Sequence, residues 1–116
     1  MKKYFTKPSY CDPNLLWFEH GKLSIQPDEV VYLSSLENYT KFHLSGGRVL
    51  ISSRTMKLHQ EQLNVIGQNF ARIHRKFLLN LKYLNCIEES EDGHVARLST
   101  GEEIIVSRRK AKILAA

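Results

Sequence analysis

The chain has 116 residues, enough for one domain with a core that needs no staples, and its 42% hydrophobic and 25% charged content is ordinary for a globular protein. Seventeen Lys and Arg against twelve Asp and Glu give a net charge of +5, which favours a polyanionic partner, nucleic acid before an anionic membrane. No run nears the ~20 apolar residues of a membrane span. Two cysteines (Cys11, Cys86) make no disulfide framework, and Pro8, Asp12 and Pro13 interrupt any leader, so a reducing cytoplasm is expected.

Residues 1–13, with Lys2, Lys3, Lys7, Pro8 and Pro13, read as a flexible lead-in to a domain over 14–116. Residues 15–19 and 22–25 flank His20-Gly21 and predict a β-hairpin whose Trp17 and Phe18 enter the core. Gln26-Pro27-Asp28-Glu29 is a turn, with the proline setting φ. Residues 30–35 are β-branched and aromatic and suit a strand. Beyond Glu37-Asn38, Thr40, Phe42 and Leu44 share one strand face while Tyr39, Lys41 and His43 share the other. Gly46-Gly47 signals a two-residue hairpin turn. Val49 and Ile51 of the returning strand would then meet Phe42 and Leu44, leaving Tyr39, Lys41 and His43 outward.

A helix is expected between Ser53 and Gly67, capped by Thr55 and stopped by Gly67. Met56, Leu63 and Ile66 would form its apolar face with Leu58 nearby, and Lys57 and His59 would point outward. Residues 70–80 follow as a basic knuckle, His74-Arg75-Lys76, between apolar anchors Phe70 and Phe77-Leu78-Leu79. Anchors of this kind fix cationic side chains in one geometry, which a solvated charge run does not need. Asn80 closes the segment and ties down its own turn. Residues 81–90 read as a strand with Cys86 buried, Asp92-Gly93 turns the chain, residues 95–99 return, and Thr100-Gly101 turns again. A last strand over 103–106 leads to Ser107, which caps a short helix over 108–114. Eight to ten short strands with one or two helices predict a mainly β protein, a sandwich or small stacked antiparallel sheets.

The sequence holds no convincing catalytic or metal site. Five histidines stand singly, without a His-x-x-x-His or Cys-x-x-Cys pair, and no nucleophile elbow, phosphate loop or dinucleotide fingerprint occurs. No enzyme activity and no cofactor are expected. Eight of the seventeen basic residues fall in two windows, Arg72, Arg75, Lys76 and Lys82, then Arg108, Arg109, Lys110 and Lys112. Glu88, Glu89, Glu91 and Asp92 bias the opposite way. Three groups stand at strand ends: Asn38, Tyr39 and Lys41; His74, Arg75 and Lys76; Arg108 and Arg109. Arg can read guanine bidentately, Asn can read adenine, and Lys or His can hold phosphates. With no recognition helix evident, readout would come from loops.

Those blocks resemble the LytTR DNA-binding domain of bacterial transcription regulators. The resemblance is carried by Asp28-Glu-Val-Val-Tyr32 continuing to Asn38-Tyr39, by Phe70-Ala-Arg-Ile-His-Arg-Lys-Phe-Leu-Leu-Asn80, and by Val106-Ser-Arg-Arg109. It implies small stacked antiparallel sheets with a short helix, and loops inserted into successive major grooves of double-stranded promoter DNA. The minor groove between them is touched, the duplex is often bent, and paired copies occupy direct repeats, with self-association on DNA. Matching positions place Asn38, Tyr39, His74, Arg75, Lys76, Arg108 and Arg109 at the DNA, with Arg72 and Ser107 serving structure as much as contact. Two departures make the surface more basic: Ser34-Ser35 replace a common Glu-Ala, and Lys76 replaces a common Ser. Many members carry a receiver domain; none is expected here, so the chain reads as a response-regulator effector domain or a stand-alone regulator. The contrasting reading is a protein-interaction module that regulates a partner without binding DNA, through the lead-in and the Glu88 to Asp92 hairpin.

Overall fold

A computed structural model describes residues 15–18, 22–66, 69–91 and 93–115. The expected lead-in, the His20-Gly21 turn, the Gly67 stop and Asp92 lie outside the described residues. Within them ten strands form three antiparallel sheets, joined by two helices. A small hairpin pairs β1 (Leu16–Phe18) with β2 (Leu23–Ile25). The five-stranded sheet has the order β5-β4-β3-β7-β6, with β3 (Val30–Leu36), β4 (Tyr39–Leu44), β5 (Val49–Ser52), β6 (Phe70–His74) and β7 (Phe77–Asn80). The third sheet has the order β10-β9-β8, with β8 (Leu84–Ser90), β9 (Gly93–Leu98) and β10 (Glu103–Val106). Helix α1 (Met56–Ile66) follows β5, and α2 (Arg108–Ala115) closes the chain.

The five-stranded sheet separates two cores. On one face Val30, Leu33, Phe42 and Leu78 pack with the β1–β2 hairpin and with Met56 and Leu63 of α1. On the other, Val31, Ile73 and Leu79 pack with Ala96 and Ile104 of the three-stranded sheet and Ala111 of α2. Strand β7 lies between β3 and β6 and is covered on both sides, which is why Phe77-Leu78-Leu79 has to be continuously apolar. A bulge where the β3–β4 register shifts between Val30 and Tyr32 lets Val30 and Leu33 face the first core and Val31 the second. Asn80 is buried at the end of β7, donating to the Val30 carbonyl (3.0 Å) and accepting from the Lys82 amide (3.0 Å), so it does hold the next turn.

Several details correct the expectations. The β4–β5 turn closes over Ser45-Gly46-Gly47, with both glycines at φ +88, and Leu44 pairs with Arg48. One extra turn residue slips the register by one, and a one-residue slip exchanges faces. Leu50 therefore pairs with Phe42, while Val49 and Ile51 pair with His43 and Lys41 and stay exposed. His43 is not outward either: its ring stacks on Tyr32 at 4.0 Å and its Nε2 lies 2.9 Å from Ser34 Oγ. Cys86 is exposed, because a register shift between Leu84 and Cys86 breaks the alternation that would have buried it.

In α1, Leu58 is exposed and His59 is buried instead. Gln62 Oε1 can only accept, so His59 Nδ1 carries the proton and donates to it (3.3 Å). Nε2 then accepts from Ser52 Oγ at 2.7 Å, and the ring meets Phe42 edge-on. Burial is the leading cause that lowers the pKa of His43, His59 and His74. An unfolded chain protonates these rings near the ordinary value of ~6.5, the fold only below it. Stability from this source is full above about pH 6.5 and falls as pH drops toward the folded-state values. The melting temperature, followed by circular dichroism, should decline from about pH 7 to pH 5; a level or rising one would contradict this.

Candidate nucleic-acid interface

The connections at one end of the five-stranded sheet bring the three predicted groups together. Asn38 and Tyr39 form the tip of the β3–β4 hairpin, where Leu36 pairs with Tyr39. Arg75 and Lys76 form the tip of the β6–β7 hairpin. These tips are neighbours because β3 and β7 are adjacent, and the Ser35 amide donates to the Lys76 carbonyl at 2.9 Å. The Ser107 amide donates to the Ile73 carbonyl at 2.8 Å, which sets the start of α2, with Arg108 and Arg109, against the knuckle. Lys41 lies further along β4 on the face of Tyr39 and His43, partly buried.

The knuckle is rigid for a reason the chain spells out locally. The Arg72 guanidinium donates to three oxygens: Nη2 to the Arg75 carbonyl (2.6 Å), Nε to the His74 carbonyl (3.2 Å) and Nη1 to Gln60 Oε1 of α1 (3.2 Å). A forked, planar donor suits this job as an ammonium does not. Arg72 thus turns inward and braces the loop. His74 Nδ1 accepts from the Lys76 amide at 3.1 Å, which requires that nitrogen to be unprotonated. Burial first, then the charges of Arg75 and Lys76, lower its pKa and keep it so. His74 is therefore part of the turn's own frame.

Arg75, Lys76, Arg108 and Arg109 are exposed, and among the described residues none of them has a carboxylate at ion-pair distance. The acids that do pair are elsewhere: Asp28 with Lys82, Glu89 with His94, and Glu88 and Glu103 with Arg97. Two features at this end run against local stability. Ser107 caps α2, its Oγ accepting from the Lys110 amide at 3.2 Å, yet the first turn carries two arginines and no acid where the helix dipole prefers a negative charge. Glu37 holds φ 56, a conformation usually left to Gly, Asn or Asp. Strained or mischarged positions gather where function overrides folding. Beside them Leu36 and Tyr39 leave about half their surface in water, 51% and 50%.

The structure adds one residue that the sequence did not single out. Arg54, between β5 and α1, reaches the same end of the sheet because the Thr40 hydroxyl donates to its carbonyl at 2.8 Å. A basic residue just before a helix cap was the only local sign; its neighbourhood depends on a pairing across strands.

Known proteins share the fold of this chain. A family profile described as the LytTr DNA-binding domain matches residues 20–116. A solved structure described as the "LytTr DNA-binding domain of putative methyl-accepting/DNA response regulator from Bacillus cereus" superposes with a TM-score of 0.66. It is 20% identical, and the match covers 86% of this chain and 90% of that one. No curated protein sequence matches.

Proposed function

The chain belongs to the LytTR family of DNA-binding domains, and from that premise we propose that it reads double-stranded promoter DNA by sequence, through the loops at one end of its central sheet. The observation that carries this reading is the convergence of two cationic groups, without an acid at ion-pair distance among the described residues, and of the Asn38-Tyr39 tip on loops braced by Arg72, His74 and Ser107. Arg75 and Arg108 or Arg109 read base edges, with Asn38 and Tyr39 at the neighbouring tip. Lys41 and Lys76 hold phosphates, while His74 frames the turn that carries Lys76.

Loops inserted in successive major grooves belong to this reading, and strand spacing sets how far apart the loops stand. The two hairpin tips centre two strands apart, about 10 Å, and the start of α2, hydrogen-bonded to Ile73, lies about 5 Å beyond β6. A row of roughly 15 Å is still wider than one major groove of ~12 Å, so one end reaches across the backbone from the groove that the other enters. Direct repeats fit a domain of this kind that binds as paired copies, each copy placing the same row on its own repeat.

Selection of bound fragments from random duplexes tests the reading. A defined motif should be enriched; recovery of unselected sequence, or preference for single strands, would overturn it. The α2 arginines offer a second check. Arg109→Gln removes a charge that the helix dipole opposes, so it should stabilise the fold by about 0.3–1 kcal/mol while weakening binding to the selected duplex. Thermal melts and fluorescence anisotropy on one preparation measure both; a loss of stability, or unchanged affinity, contradicts the assignment.

A further inference from the structure

We infer that Arg54 is an additional cationic anchor of this interface, gripping a DNA phosphate on the flank of the tip formed by Asn38 and Tyr39. The inference rests on the DNA-binding reading above and extends it to a group outside the three recognised blocks.

The argument begins with how much buried structure is devoted to one exposed loop residue. The Arg54 amide donates to Ser52 Oγ at 3.1 Å, and its carbonyl accepts from Thr40 Oγ1 at 2.8 Å. Thr40 is fully buried. Ser52 in turn donates to the buried His59, whose ring is wedged against Phe42. Both peptide groups of Arg54 are thereby tied to the first core. A surface loop that only crosses from a strand to a helix can leave such groups to water. Here the backbone is immobilised and only the side chain is left free, which reduces the ordering cost when that side chain meets a ligand.

Position and charge then indicate the ligand. Thr40 directly follows Tyr39, so the tether holds Arg54 beside the first hairpin tip. Arg54 is exposed, and among the described residues no carboxylate lies at ion-pair distance from it. The first turn of α1 adds Lys57 and no acid. Arg54 follows the edge strand β5, on the α1 side of the sheet and away from the knuckle. A cation to the side of loops that enter a groove meets the groove's wall, and that wall is the phosphate backbone.

The test uses the full chain and a selected duplex, with wild type, Arg54→Ala and Arg54→Lys compared by anisotropy over a salt titration. Loss of one phosphate contact should make the slope of log K against log salt shallower by about 0.9. The deficit of Arg54→Ala relative to wild type should then shrink about 3.5-fold between ~50 and ~200 mM salt. Arg54→Lys should restore the slope, and the ranking of base substitutions in the site should not change. Ethylation interference should show one phosphate fewer for Arg54→Ala. Thermal melts should coincide with wild type, because the removed atoms lie outside the bonds of Thr40, Ser52 and His59. A wild-type slope and an unchanged interference pattern in Arg54→Ala would overturn the inference alone. Absence of salt-dependent duplex binding by wild type would overturn the DNA-binding reading, and the inference with it.

Discussion

Arg75→Ala is expected to cost about 1–3 kcal/mol in binding and to relax the preference at one base pair of the selected site. The residue sits at the tip of a hairpin, exposed and without an acidic partner among the described residues, so on the proposed reading the change deletes a recognition group and little else. Its fold should melt as wild type does. Arg75→Lys should restore part of the affinity, because a positive charge returns, but not the base preference, because an ammonium lacks the fork that spans guanine O6 and N7. Binding to single-base variants of the site measures both. Equal losses on every variant would make Arg75 a phosphate contact and move base reading to another residue.

Arg72→Ala should be comparably damaging, by about 1–3 kcal/mol in binding, without Arg72 touching DNA. The three oxygens it serves are the His74 and Arg75 carbonyls and Gln60 Oε1, so the change frees the knuckle from its own backbone and from α1. Three signs separate this from loss of a contact. Stability should drop together with affinity. The salt slope should keep its wild-type value, because no phosphate contact is removed. Arg72→Lys should rescue neither property, since one ammonium cannot reach three oxygens set in a fork. A shallower salt slope with normal stability would instead place Arg72 on the DNA.

What the sequence made legible, and what it did not, follows from the range of the interactions involved. The alternation of Thr40, Phe42 and Leu44 marked β4 and its buried face because each strand residue reports its own side. The continuous run Phe77-Leu78-Leu79 marked a buried anchor, though not the doubly covered strand that it forms. Register was another matter. Gly46-Gly47 was visible, but whether the turn takes two residues or three is decided by how Leu44 and Arg48 pair, and that choice turned Val49 and Ile51 outward. The bulge before Cys86 is likewise a property of two strands and not of one.

The candidate site divides in the same way. Arg75, Lys76, Arg108 and Arg109 stood out as charges at strand ends. The inward turn of Arg72 did not, because its partners include Gln60, twelve residues away. His59 read as an outward polar residue on α1, yet it is buried, since Ser52 and Gln62 satisfy both ring nitrogens. Arg54 gains its place from Thr40, which is paired to it only through the sheet.

The central claim is that a braced row of free cations at one end of the sheet reads a duplex at separated points. Methylation interference on the selected duplex addresses it most directly, because N7-methylated guanine blocks an arginine that enters the major groove. Within the site of each bound copy two separate clusters of interfering guanines should appear, and Arg75→Ala should erase only one of them. Interference confined to a single short cluster, or spread evenly over every guanine, would contradict the account.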